Sequence, residues 1–187
     1  MPVLPIARMG ADVLKRRAEE VTDFKDPALP ALVDNMLETM TAAHGVGLAA
    51  PQVSVPKRIV MFYVPAARNK GVDVPLTVMI NPVITPLTQD QNEGWEACLS
   101  VPGLTGEVPR YTSIKYRYQD LNGATVEREA EDFHARVVQH ECDHLDGILY
   151  PMRMNDMETL AFVDVLDAEA RARGETLDLD EEGIIPE

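Results

Sequence analysis

Residues 140–144 read His-Glu-Cys-Asp-His, and this stretch constrains the fold more than any other part of the chain. On an α-helix, His140 and His144 differ by about 40° in direction and lie one turn apart, so both imidazoles can reach a single metal ion. Glu141 lies about 100° from His140, beside that face, where it can act as a general base. The stretch therefore predicts a metal-binding helix; the alternative is a solvated helix with two surface histidines.

The flanking residues indicate that this helix is buried on two sides. Phe133 and Val137 fall within about 60° of the first histidine and would form an apolar wall above the metal. Val138, Cys142 and Leu145 point roughly the opposite way. We therefore expect the helix to be central to the fold, which makes surface histidines the weaker interpretation.

A catalytic metal site usually has three protein ligands and one open position, so a third ligand is expected elsewhere. Cys142 lies about 200° round the helix from the first histidine and is predicted to pack in the core, and His134, about 120° away, is predicted to be structural. No histidine follows Gly147. Cys98 remains, in the bend-like segment Glu96-Ala97-Cys98-Leu99-Ser100. We predict that Cys98 is the third ligand, against the alternative of a small core residue.

A glycine-containing segment, Gly45-Val46-Gly47-Leu48-Ala49-Ala50-Pro51-Gln52, is the third candidate. Glycines followed by small residues allow a backbone or a ligand to approach closely, although Gly45 could also simply end a helix. Gln52 would donate to a developing oxyanion if its amide points into a cleft. The predicted substrate-binding residues are Gly45, Val46, Gly47, Phe133 and Val137.

Periodicity predicts the remaining elements. Apolar residues at three- and four-residue spacing predict an amphipathic helix over 26–44, stopped by Gly45. Runs bounded by prolines predict strands over 58–64 and 76–80, and alternation predicts a hairpin from 113–119, through positive φ angles at Asn122-Gly123, to a return strand through Val126. Helices are expected over 132–145, capped by Gly147, and over 156–173. The predicted class is α+β: antiparallel strands packed around a central HExxH helix, with an N-terminal amphipathic helix and a C-terminal helix.

Length and charge limit the organisation and the partners. A chain of 187 residues can bury one core, so we predict a single catalytic domain over 1–174 and an acidic, loosely ordered tail over 175–187. The net charge of −14, without a basic stripe, argues against direct nucleic-acid binding. The N-terminal residues contain no apolar run long enough for a signal peptide or a membrane span. We expect a soluble protein of a bacterial-type cytoplasm, with no membrane partner.

Taken in order, GVGLAAPQ, EACLS and QHECDHLDG resemble the three signature motifs of the peptide deformylases. The resemblance extends from the N-terminal segment to about Met154. It implies a hydrolase that removes the formyl group from the N-terminal methionine of newly made proteins. One departure is visible: the middle motif commonly reads EGCLS, and Ala97 replaces its glycine here.

The resemblance also implies roles for individual residues, by motif position. Metal ligation is implied for Cys98, His140 and His144, and acid/base catalysis for Glu141. Gln52 and the backbone N–H of Leu99 would form the oxyanion hole.

The cofactor implied by the resemblance is one divalent metal ion, iron(II), for which zinc, nickel or cobalt can substitute. The ligand set alone does not choose among these ions. The implied partners are N-formyl-methionyl nascent peptides, with transient proximity to the ribosome, and we expect a monomer. Family members with a basic C-terminal helix can use it to dock on the ribosome; because this C-terminus is acidic, that role is not carried over.

Two other functions compete with this interpretation. A HExxH zinc endopeptidase would cleave internal peptide bonds and would carry an extended third-ligand motif downstream, which the sequence lacks. A non-catalytic binding protein with a structural metal would usually have four protein ligands and no use for a glutamate beside the ion.

Overall fold

The computed structural model describes residues 2–175, so the tail predicted over 175–187 lies outside the described residues except for Glu175. The regular elements, in chain order, are α1 (Ala28–Ala42), β1 (Gly47–Ala49), β2 (Ile59–Val64), β3 (Val74–Pro86), β4 (Gln91–Ala97), β5 (Leu104–Tyr111), β6 (Ser113–Gln119), β7 (Thr125–Glu131), α2 (Asp132–Leu145), β8 (Ala161–Phe162) and α3 (Val163–Ala172). In this part of the chain the fold is α+β with antiparallel sheets, as predicted.

The strands form two sheets among the described residues. One has the order β1-β2-β3-β6-β7 and the other the order β4-β5-β8. Helix α2 contacts strands of both sheets, among them β1, β2 and β5. Its residues Val137, Val138, Cys142 and Leu145 belong to the same buried apolar cluster as residues of β2 and β6. Helix α1 buries Val33, Met36 and Met40 in a second cluster with β1, β2 and β3.

Both longer helices end in the same way. At α2, Gly147 takes a left-handed backbone with φ of 73°, and the N–H of Ile148 donates to the carbonyl of Asp143, so the predicted glycine cap is confirmed. At α1 the helix predicted over 26–44 spans Ala28–Ala42, and His44 adopts the left-handed conformation that ends it, with φ of 57°. Gly45 follows it and donates its N–H to the carbonyl of Met40.

Several predicted strand bounds need correction. The strand predicted over 76–80 runs from Val74 to Pro86 and contains its prolines instead of being bounded by them. It pairs first with β2 and then with β6, and the register shifts between Ile80 and Val83, where an irregular backbone accommodates Pro82. In the β6–β7 hairpin only Gly123 has a positive φ, of 79°, because the turn is a longer one stabilised by the carboxylate of Asp120.

The helix predicted over 156–173 is shorter than expected. Asp156 caps a single 3-10 turn at Met157–Thr159, after which Ala161 and Phe162 pair with β5 and only Val163–Ala172 is helical. Residues 161–162 pair with β5 through backbone hydrogen bonds, and local periodicity does not reveal such a long-range pairing. No helix among residues 2–175 has the length and apolar character needed to cross a membrane.

Candidate metal centre

The three predicted ligands come together. Cys98 directly follows β4, whereas His140 and His144 lie on α2, and one potential ligand atom from each lies within 4.8 Å of the others. The Sγ of Cys98 is 3.4 Å from Nε2 of His144. Ligands bound tetrahedrally to one zinc-like ion, at about 2.3 Å for sulfur and about 2.0 Å for nitrogen, lie about 3.5 Å apart. The cluster therefore has the donor types and the spacing that suit a single ion.

The orientation of His140 is set by a buried carboxylate. Its Nδ1 lies 2.8 Å from Oε2 of Glu96. A carboxylate in this environment only accepts, so Nδ1 carries a hydrogen and Nε2 is the ring nitrogen that faces the site. Burial alone would lower the pKa of His140, but contacts with Cys98 and Glu96 raise it well above the usual value. Burial, followed by the charge of His140, lowers the pKa of His144.

Glu96 is itself held by two arginines. Arg110 forms a bidentate pair with it, with Nε 2.8 Å from Oε1 and Nη2 2.9 Å from Oε2, and Nη1 of Arg136 lies 3.1 Å from Oε1. Burial alone would raise the pKa of Glu96, but the charge and hydrogen bonds of Arg110 outweigh it and hold that pKa far below its usual value. The carboxylate therefore stays ionised behind the histidine.

Glu141 lies on α2 next to His140 and is 5% exposed. Gly47 of β1 faces it so closely that a Cβ at this position would lie 2.6 Å from Cδ of Glu141, and closer still to Oε1. The glycines of this segment were predicted to allow another group to approach closely. At Gly47 the group that approaches is the carboxylate of Glu141. A larger residue at position 47 would displace that carboxylate.

Gln52 points its amide group towards Cys98. Its Oε1 accepts from the N–H of Ala49 at 2.8 Å, which fixes which end of the amide is oxygen. Its Nε2 lies 3.6 Å from Sγ of Cys98 and 3.2 Å from Oγ of Ser100. The amide N–H groups are therefore directed into the site, as an oxyanion donor requires.

A cavity opens beside these groups. It is lined by Val46, Gly47, Phe133 and Val137, all predicted substrate-binding residues, and also by Gln52, Leu99 and Glu141. Gly45, the fifth predicted residue, lies instead at a second cavity with Leu37 and Tyr63. The first cavity thus borders the carboxyl group of Glu141 and the thiol group of Cys98.

The comparison with known proteins bears on this geometry. The polypeptide deformylase family model matches residues 3–160. The chain belongs to the polypeptide deformylase family. Peptide deformylase 1 of Nitrosomonas europaea is 49% identical over 88% of this chain and 94% of its own length. Peptide deformylase 1 of Bordetella pertussis is 51% identical over 86% of the chain and 93% of its own length.

Solved structures of the family agree in fold. A class I type b peptide deformylase of Acinetobacter baumannii, solved with the ligand K3U, has a TM-score of 0.76 and 39% identity, and covers 82% of this chain and 100% of its own. The peptide deformylase of Thermotoga maritima has a TM-score of 0.75 and 36% identity, and covers 83% and 100%. This deformylase is a metal-dependent hydrolase that removes the N-formyl group from nascent peptides, and neither competing function is favoured.

Cys142 and His134, the two residues excluded from the site on helical geometry, lie elsewhere. Cys142 packs in the buried cluster on the opposite side of α2, where burial raises the pKa of its thiol. His134 is buried, its Nε2 lies 3.1 Å from the hydroxyl of Tyr116, and burial lowers its pKa to about 4. Both positions agree with a structural role.

Four residues of the deformylase site escaped the sequence analysis: Trp95, Glu96, Arg110 and Arg136. Trp95, Glu96 and Arg136 line the cavity, and Arg110 lies behind Glu96, the partner of His140. The sequence offers one signal for two of them, which is a charged residue beside predicted site residues. Arg136 directly precedes Val137, and Glu96 lies two residues before Cys98.

Proposed function

We propose that Cys98, His140 and His144 hold one divalent metal ion in this deformylase, with iron(II) as the native ion and zinc, nickel or cobalt as substitutes. The convergence of the three ligand atoms within 4.8 Å, beside Glu141, carries the proposal. When bound, the ion supplies Lewis acidity and makes a water molecule acidic near neutral pH. Zinc should bind such ligands more tightly than iron(II), so the choice of iron rests on the family resemblance.

Glu141 is the proton carrier in this proposal. Its carboxylate accepts the proton of the attacking water and then passes it to the leaving amine, so that formate and a free N-terminus are released. Gln52 and the backbone N–H of Leu99 donate to the oxygen of the formyl group as negative charge gathers there. Loss of one such donor typically costs about 2.7 to 4 kcal/mol in barrier.

The apolar cavity is the site of the methionine side chain. Val46, Phe133 and Val137 offer apolar walls, and the unbranched, polarizable side chain of methionine suits an irregular slot. Burial of this side chain would supply the binding energy that positions the formyl carbon. Gly47 contributes space for Glu141, and Gly45 is not part of this pocket.

The same proposal extends to the organisation and surroundings of the enzyme. Residues 1–174 form one catalytic domain with α2 at its centre, supported by the contacts of α2 with both sheets. The enzyme works as a monomer in a bacterial-type cytoplasm, near the ribosome that supplies its substrates, without binding nucleic acid directly. The similarity to bacterial deformylases supports the bacterial-type cytoplasm, and the net charge of −14 supports the lack of direct nucleic-acid binding.

Formate release from three peptides tests the proposed pocket. Formyl-Met peptides should react well, whereas formyl-Asp peptides lack the apolar side chain and acetyl-Met peptides carry an extra methyl group. The Val137→Asp variant should lose the preference for methionine over aspartate, because of an unpaired charge in an apolar pocket, but should still reject acetyl-Met. Comparable kcat/KM values for formyl-Met and acetyl-Met, or cleavage at internal peptide bonds, would contradict the proposal.

A further inference from the structure

We infer that Asp143 is a positioning residue for the metal centre, which acts on His140 through Arg110 and Glu96. Asp143 occupies one of the two unspecified positions of the HExxH stretch, where the sequence pattern assigns it no role. The inference rests on the proposed metal site and concerns how that site keeps its shape.

The connection is a continuous series of short hydrogen bonds. Nδ1 of His140 donates to Glu96 at 2.8 Å, and Glu96 is paired with Arg110 through two bonds. The remaining nitrogen of that guanidinium, Nη1, lies 2.6 Å from Oδ2 of Asp143. The side chains of Glu96 and Arg110 are each 3% exposed and that of Asp143 is 10% exposed, so water competes little for these bonds.

This series of hydrogen bonds begins and ends on the same helix. It leaves α2 at His140, crosses β4 at Glu96 and β5 at Arg110, and returns to α2 at Asp143, three residues further along the helix. Cys98 directly follows β4, so the closed series ties the strand that presents the thiol to the helix that presents both imidazoles. Such a connection fixes the rotation of α2 relative to β4, on which the spacing of the ligand atoms depends.

A guanidinium is needed at the centre of this arrangement. Arg110 binds Glu96 through Nε and Nη2 and Asp143 through Nη1, three directions that a planar fork supplies at once. Both oxygens of Glu96 already accept two hydrogen bonds each, from Arg110, Arg136 and His140. Asp143 is therefore the group that accepts from Nη1, the remaining nitrogen of Arg110. Arg153 donates to the same carboxylate of Asp143 from the solvent side, with bonds of 2.6 and 2.7 Å.

The chain contains a matched control for Asp143. Asp146, at the end of the same helix, is also shared between a buried arginine, Arg58 at 2.7 Å, and an exposed one, Arg17 at 3.4 Å. Arg58 continues to the carbonyl of Leu145 and not to a ligand of the metal centre. The two carboxylates thus differ in what lies behind their buried arginines, and also in exposure, since the side chain of Asp143 is 10% exposed and that of Asp146 is 46% exposed.

The experiment compares Asp143→Asn with Asp146→Asn in the full-length, cobalt-loaded protein. We expect both variants to unfold at lower denaturant concentration than the wild type, but only Asp143→Asn to lose metal to a chelator faster. The increase should be about 10-fold, the low end of the effect of removing the direct partner of a metal ligand, because Asp143 acts through Arg110 and Glu96. Its visible cobalt spectrum should shift, and its metal-loaded form should have a lower kcat with little change in KM, because Asp143 does not line the substrate cavity.

A second pair of variants removes the exposed arginines and leaves both buried pairs intact. Arg153→Gln should speed metal loss several-fold, and Arg17→Gln should not. Equal metal loss and unchanged cobalt spectra within both pairs would overturn the inference while leaving the metal site in place. A wild-type protein that binds no cobalt at all would overturn the proposed site itself, and the inference with it.

Discussion

Replacement of Gly47 by alanine probes the contact on which the position of Glu141 depends. The added Cβ would lie 2.6 Å from Cδ of the glutamate and closer still to Oε1, so the carboxyl group has to recede by at least about 0.8 Å to reach the 3.4 Å of an ordinary contact. Gly47 lies in β1 and does not have a left-handed backbone, so alanine itself introduces no backbone strain. The substitution therefore tests the contact with Glu141 through kcat, whereas an effect of the added methyl group on the cavity, which Gly47 also lines, would appear in KM.

A displacement of this size has a known order of effect on catalysis. Misplacing a reacting group by about 1 Å can reduce the rate about 100-fold, which corresponds to about 2.7 kcal/mol of barrier. We expect Gly47→Ala to lose about this much kcat in formate release from a formyl-Met peptide, while it keeps its bound metal. Metal analysis and the rate assay on the same preparation separate the two effects.

Gly106→Ala is the control for this prediction. Its Cβ would also lie 2.6 Å from another atom, Cε of Met154, which is the free end of a flexible side chain that does not line the cavity. Met154 can move aside, so this variant should retain near wild-type activity. If Gly47→Ala also retains kcat within a few-fold of the wild type, the proposed position of Glu141 is wrong.

Three further predictions test the site and its surroundings. Glu141→Gln should keep the metal and lose turnover, because an amide cannot accept the proton of water; near wild-type formate release would exclude Glu141 as the base. Cys98→Ser should lose metal severely whereas Cys142→Ser should retain it, and equal losses in metal analysis would overturn the ligand assignment. Burial lowers the pKa of His134 to about 4. An unfolded histidine titrates near 6.5, so the unfolded chain takes up a proton first as the pH is lowered from about 6.5 to about 4. Over this range the free energy of unfolding of the wild type should fall relative to that of His134→Phe. Urea titrations measure this difference, and a difference that does not change with pH would contradict the prediction.

The helix that carries His140 and His144 was predictable because its signal is local. The spacing of His140 and His144, and the exclusion of Cys142, depend only on the period of an α-helix, and the observed α2 begins and ends at the predicted residues. Cys98 was predicted from the need for a third ligand, and the structure brings it to the same cluster.

The hairpin of β4 and β5 was not predicted, and its interior explains why. Glu96 and Arg110 lie inside the protein and pair with each other, so the alternation of apolar and polar residues that marks a strand is lost. Gly94, Gly106 and Pro109 weaken the strand signal further. The same charged residues form the support of His140, so the unpredicted strands and the missed functional residues have one cause.

The predicted C-terminal helix failed for a related reason. Its pattern is compatible with a helix from 156 onwards, but Ala161 and Phe162 pair with Thr105 and Leu104 of β5. A pairing between residues more than fifty positions apart leaves no trace in local periodicity.

X-ray absorption at the metal edge of the zinc-loaded, full-length protein tests the proposed metal centre most directly. The account predicts one sulfur at about 2.3 Å and two imidazole nitrogens at about 2.0 to 2.1 Å, with one lighter ligand that is not from the protein. Cys98→Ser should remove the sulfur signal, and Cys142→Ser should leave it unchanged. A spectrum without sulfur, with two sulfurs, or with four protein ligands would contradict the assignment of Cys98, His140 and His144 to one catalytic ion.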